Sequence, residues 1–274
     1  MPVSALLLAL AAALVHANWN VLLSGADDTH SATAVAVLIG VIVFAPVAAL
    51  TWRITPAAWP YIAGSSALEM TYLALLASGY TRAAMSFVYP IARGSAPVLV
   101  LLFSVVVLAA SFSAGAVIGV VVVAAGVVLV RGVRTSGQLA DLALALAVGA
   151  CIAGYTIVDK HGIAHAAPIS YLEVVFAVVA TAYGLGVWRV RGRQAMRAAI
   201  GARTVVAGIG FFGAYALVLA ALRLAPAASV AAVRESSVVM ATAWLALTGR
   251  EAVTRERLAG AFAVAAGIVL ISLA

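Results

Sequence analysis

Residues 89–97 read Tyr89-Pro90-Ile91-Ala92-Arg93-Gly94-Ser95-Ala96-Pro97, an arginine between two prolines inside a long apolar run. A charge at that depth in a membrane helix costs about 2.5–3.5 kcal/mol on insertion scales, so its presence asks for a reason. The same oddity returns as Ala232-Val233-Arg234-Glu235-Ser236-Ser237-Val238, where Arg234 follows Arg93 by 234 − 93 = 141 positions. At that offset Arg82 also falls on Arg223, Ser95 on Ser236, Gly119 on Gly260 and Gly126 on Gly267. Coincidences this many, at one offset and without a gap, read as a duplicated unit, and a repeat must be found before a fold is assigned. The duplication predicts a first repeat over residues 1–133, a linker over 134–141 and a second repeat over 142–274.

Composition sets the solvent. Hydrophobic residues make up 66% of the chain and charged residues only 9%, against about 25% charged in soluble domains. The fold class is therefore an all-α integral membrane protein, because helices and closed barrels alone satisfy the backbone in lipid, and the alternation of barrel strands is missing. The net charge of +7 comes from fifteen arginines and one lysine. These sit mostly in short connectors, where they set orientation rather than bind nucleic acid. The bilayer is the partner that composition implies. The single cysteine, Cys151, excludes an intramolecular disulfide and a CxxC metal site, and reads as packing. His161 and His165 have metal-site spacing but no third ligand beside them, so no metal is expected. No phosphate loop or dinucleotide fingerprint is present, which argues against ATP drive and against a cofactor. No nucleophile–base set suggests an enzyme.

About 20 apolar residues span a bilayer core. Ten such segments can be read: 3–23, 32–52, 58–77, 84–108, 114–130, 139–158, 168–188, 204–222, 227–247 and 258–274. Residues 1–23 lack a basic start and read as a retained helix rather than a cleaved leader. Asp159-Lys160-His161 and the stretch from Arg189 to Arg203 read as connectors. With the N-terminus outside, inner connectors hold 11 Lys and Arg and outer ones 3, so the positive-inside rule puts both termini outside. Five helices per repeat then make the second repeat inverted. Inverted repeats are a mark of secondary transporters with a site near the midplane.

These features resemble the drug/metabolite transporter superfamily, specifically its EamA branch. The likeness rests on His16-Ala17-Asn18-Trp19-Asn20 in segment 1, on residues 89–97, and on Arg234-Glu235-Ser236-Ser237 in segment 9. It covers essentially the whole chain. Each motif alone is weakly specific; at this spacing they reinforce one another. The resemblance implies a carrier in the cytoplasmic membrane, with amino acids, metabolites, nucleotide-linked sugars and drugs among the family's cargoes. It also implies an acidic residue between segments 9 and 10, met here by Glu251, whose repeat-one counterpart is Ala110.

Candidate site residues follow from polarity at depth. Arg93 and Arg234 come from equivalent segments, so both can face one cavity and hold a carboxylate or phosphate bidentately; the alternative is a structural contact with carbonyls or a carboxylate. Glu69 is an intramembrane carboxylate, a candidate for proton or substrate coupling unless Arg93 pairs with it. Glu235 adjoins Arg234, but neighbours in sequence do not face each other, which implies a partner on another helix. His16, Trp19 and Asn20 share one helix face as a polar-aromatic stripe. Tyr72, Tyr89, Tyr155 and Tyr215 are candidates for an aromatic wall, with plain packing as the alternative. Pro90 and Pro97 either break segment 4 beside the cavity or are simply tolerated there. The expected function is secondary transport, proton-linked or facilitative, of a small organic metabolite such as an amino acid or organic anion. Efflux of lipophilic cations, a channel and a scaffold are the alternatives. A single chain holds both repeats, so monomer and homodimer are both compatible.

Overall fold

The computed structural model describes residues 1–24, 26–82, 85–131, 139–247 and 254–274. Among them the chain is helical throughout: α1 (Val3–Ser24), α2 (Thr29–Leu50), α3 (Trp59–Arg82), α4 (Met85–Val106), α5 (Ala114–Arg131), α6 (Leu139–Gly162), α7 (Pro168–Ala198), α8 (Ala202–Leu224), α9 (Ala227–Arg234), α10 (Ser236–Leu247) and α11 (Arg255–Leu273). Six of these (α1, α2, α6, α7, α8 and α11) are long and apolar enough to cross a membrane. Long apolar side chains on their outer faces, such as Leu7, Ile42, Val178, Val206 and Phe262, are exposed, as lipid contact requires.

Local chemistry sets the helix ends. Asp28 caps α2 by accepting from the His30 and Ser31 N–H groups at 3.1 and 3.3 Å. The Ser31 hydroxyl donates to the same carboxylate at 2.6 Å and holds it below the usual carboxylate range. Pro168 opens α7, where its missing N–H is no loss.

Three expectations need correction, and one alternative is decided. Asp159, Lys160 and His161 are not a connector but the last turns of α6. The polar stretch after Arg189 stays helical to Ala198, interrupted at Gly192, whose φ of 80° only glycine adopts without strain. Segment 9 is two helices, parted at Glu235, whose N–H turns back to the Ala232 carbonyl at 3.1 Å, a three-residue step. Of the two readings open for the prolines of segment 4, toleration holds: α4 runs unbroken through both, so the break falls where no proline stands.

The packing obeys the duplication. α1 lies on α8 and, at the exchanged positions, α3 lies on α6. α4 packs on α6, as α9 and α10 pack on α1; α2 meets α7, and α5 meets α11. The α5–α11 seam is built on the four glycines that the offset relates. A Cβ on Gly119 would stand 2.7 Å from the Gly267 carbonyl oxygen, and one on Gly126 2.8 Å from that of Gly260. Small residues let the two backbones touch, the usual device for helix association in lipid.

This packing has a measurable signature. Gly126→Ala should lower thermal stability in detergent by about 1–3 kcal/mol, the cost of overpacking. Gly184→Ala, where a Cβ meets nothing within 4 Å, should be neutral or stabilising by up to about 1 kcal/mol. Equal melting of the two variants would refute the seam.

Candidate functional site

A cavity of about 220 Å³ lies between the repeats. His16, Trp19 and Asn20 line it from α1, Glu69 and Tyr72 from α3, Arg93 from α4, Tyr155 from α6, Tyr215 from α8 and Arg234 from the end of α9. Thr33 of α2, Phe176 of α7 and Phe211 and Val218 of α8 are also in the wall. The structure thus brings together every candidate but two. Glu235 stands behind the wall rather than in it. The side chain of Tyr89 lies outside the described residues, as does Glu251.

Helical spacing aims the α1 stripe inward, and aromatic contacts carry it around the cavity. His16 and Trp19 meet edge-on with centroids 4.8 Å apart, and Trp19 meets Phe211 at 5.0 Å. Phe211 contacts Phe176 at 5.0 Å, and Phe176 contacts Tyr215 at 5.7 Å. Tyr215 leads to Tyr155 at 6.0 Å, and Tyr155 to Tyr72 at 6.3 Å. Offset and edge-to-face rings at these distances attract one another, so the wall is self-supporting. Asn20 donates to the His16 carbonyl at 2.9 Å, which fixes its side chain along the helix.

The charges are arranged across the repeats. Arg93 Nε stands 2.9 Å from Glu235 Oε2, with Glu235 wholly buried. Arg93 Nη2 also donates to Ser237 Oγ at 3.4 Å. The partner implied for Glu235 is therefore Arg93, from the other repeat. Arg234 reaches Glu235 Oε1 only at 3.9 Å, as sequence neighbours would. Its guanidinium adjoins the Tyr155 phenol. Arg93 does not pair with Glu69. That carboxylate is 8% exposed, faces the cavity, and makes no ion pair among the described residues. One carboxylate, behind the wall, thus lies near two guanidiniums that line it, while another carboxylate stands in the wall itself.

Three features of the site were missed. Phe176 and Phe211 were not singled out, since aromatic residues pack in any apolar helix and carry no further signal. Asp159 read as a connector, yet it is buried and accepts from the Tyr171 hydroxyl at 2.8 Å and from the Tyr215 hydroxyl. Its position one turn after Tyr155 was the available signal. His161 and His165, considered as metal ligands, stack on Tyr61 at 6.4 and 5.7 Å.

Comparison with known proteins adds a family. The model of the EamA-like transporter family matches the chain twice, over residues 3–132 and 140–273. A solved crystal structure superposes with a TM-score of 0.78 at 18% identity, covering 100% of this chain and 98% of the other, a likeness of fold. No curated protein matches in sequence.

The buried ion pair carries its own test. Glu235→Gln strands Arg93 and should cost about 3–5 kcal/mol in thermal unfolding, whereas Arg93→Met/Glu235→Leu together should recover most of the loss. Single and double variants that melt alike would show that the pair is not a unit.

Proposed function

The chain belongs to the EamA-like transporter family, and from that premise we propose that it is a secondary carrier for small organic solutes bearing a carboxylate, amino acids and organic anions foremost. The observation that carries the reading is the cavity wall itself. It presents Arg234 and Glu69, neither in a close ion pair, on an aromatic surface. A guanidinium there orients a carboxylate. Glu69 either faces an ammonium group or exchanges a proton with the solute's passage. The rings take the apolar part of the cargo.

In this reading the ten segments all cross the cytoplasmic membrane, with both termini outside and the second repeat inverted. The repeats rock about the cavity, so it faces each side in turn. The exchange symmetry of the helix pairings supports that arrangement. Residues of one chain form the whole wall, so a monomer suffices. Glu69 among aromatic rings also favours a second reading, efflux of lipophilic cations, since cations bind such surfaces.

Thermal shift of the purified protein against a metabolite library tests the cargo, because a ligand at 100 times its Kd adds about 2.7 kcal/mol. Amino acids or organic acids should shift the melt, and Arg234→Ala should weaken them tenfold or more, a loss of about 1.5–3 kcal/mol for a charged hydrogen bond. In proteoliposomes Glu69→Gln should leave counterflow intact and remove its dependence on a proton gradient. Hits confined to lipophilic cations and indifferent to Arg234→Ala would establish the second reading. Ion current without counterflow would overturn both.

A further inference from the structure

The cavity reaches one end of the bundle, and the opposite end is fastened by backbone. Its lining extends to Thr29, an exposed residue at the start of α2. α2 then runs 22 residues to Leu50, about 33 Å at ~1.5 Å per residue. The connector beyond it lies against the connector between α6 and α7. The Thr55 N–H donates to the His165 carbonyl at 3.0 Å, and the Ala167 N–H to the Arg53 carbonyl at 2.7 Å. Between these bonds Ile54 and Ala166 face each other as an isolated antiparallel bridge. The Ser170 hydroxyl adds a bond to the Thr51 carbonyl at 3.0 Å. One side of this clasp belongs to the first repeat and the other to the second.

Two observations make the clasp more than a surface contact. The first is an asymmetry. Exchange of the repeats carries it to the other end, onto the α1–α2 and α7–α8 connectors. There, among the described residues, no backbone hydrogen bond joins residues 26–28 to residues 199–201. Among the described residues the exchanged end is joined by apolar packing instead, with Ala26 and Ala199 against one cluster of Leu23 and Ala207, and a duplicated molecule joined differently at its two ends has the form of one of two exchangeable states.

The second is a tie between cavity and clasp. Asp159 accepts from Tyr215, which lines the cavity, and from Tyr171, whose hydroxyl also lies 3.2 Å from the Tyr61 carbonyl just past the clasp. Arg223 donates to the Ala166 carbonyl at 2.8 Å, so the second-repeat side of the clasp is pinned to α8. The first-repeat side is held by the clasp bonds and by Tyr171. Each such bond contributes little net where water competes, so the joint is reversible.

We infer that the Arg53–Thr55 and His165–Ala167 clasp is the gate at this end of the pathway, parting once per cycle, and that Asp159 is the positioning residue that holds it shut. The inference rests on the carrier reading above. The flanking bonds make Ile54 and Ala166 a non-hydrogen-bonded pair, whose Cα atoms approach to about 4.5 Å, within the ~4.4–6.8 Å span of a disulfide.

The test is Ile54→Cys/Ala166→Cys with Val218→Cys as a reporter in the cavity wall, all in a Cys151→Ala background. A membrane-impermeant maleimide is added from the clasp side, and modification at position 218 is read by mass spectrometry. The reduced protein should react; the oxidised protein should react at least tenfold more slowly from the clasp side and unchanged from the other. Asp159→Asn should raise the clasp-side rate several-fold, and oxidation should return it to background, which an unfolded protein would not do. Equal rates in the oxidised and reduced forms, or a reduced protein never reached from that side, would overturn the gate. Unchanged rates in Asp159→Asn would overturn the role of Asp159. The assay uses no solute, so a failure of counterflow in the unsubstituted protein would count against the carrier reading alone.

Discussion

Everything at the centre of this protein depends on one buried ion pair. Arg93 and Glu235 stand 2.9 Å apart, Glu235 wholly buried and Arg93 nearly so. Neither charge is tolerable there alone, because desolvation of an unpaired ion exceeds any packing gain. The pair therefore fixes the register of α4 against the α9–α10 junction, one element from each repeat. It also leaves Arg234, the repeat-equivalent of Arg93, with only a distant share of the same carboxylate. Equivalent residues in a duplicated chain have thus acquired different partners. Both line the cavity, but Arg93 is held from behind by the carboxylate and Arg234 is held by it only at a distance.

Much of this was legible before any coordinates. The offset of 141 exposed the duplication, because helices that must pack alike keep their small and charged residues in step. The stripe of His16, Trp19 and Asn20 and the two arginines were legible because polarity inside an apolar run has few explanations. What escaped detection had a common cause: hydropathy reports where a segment is apolar, not where its hydrogen bonds go. Asp159 and Lys160 look like the exit from a membrane, yet Asp159 is buried among phenols, and Lys160 spends its ammonium on the Leu222 and Ala225 carbonyls. The prolines of α4 could be read either as breaks or as tolerated, and sequence alone does not decide, because a helix loses one hydrogen bond at a proline and can continue. The real break, at Glu235, carries no local sequence signal, since it is set by a partner on another helix.

The cavity reads as a compromise between solvation and selectivity. Its aromatic belt offers rings that hold one another, so little side-chain freedom remains to be lost when a solute enters. Its charged groups are few, and each is either restrained from behind, as Arg93 is, or held at the wall by its helix, as Glu69 is. Such a surface discriminates by charge pattern while remaining tolerant of shape.

The α5–α11 seam has a mechanical meaning. Each of its four glycines backs onto main-chain atoms of the facing helix at a distance no side chain would survive. Neither helix can slide or roll without driving backbone into backbone. The last helices of the two repeats are thereby welded into one stiff strut, away from the cavity wall. Compliance must then be concentrated in the remaining helices and their connectors, and any motion the molecule makes has this strut as its fulcrum.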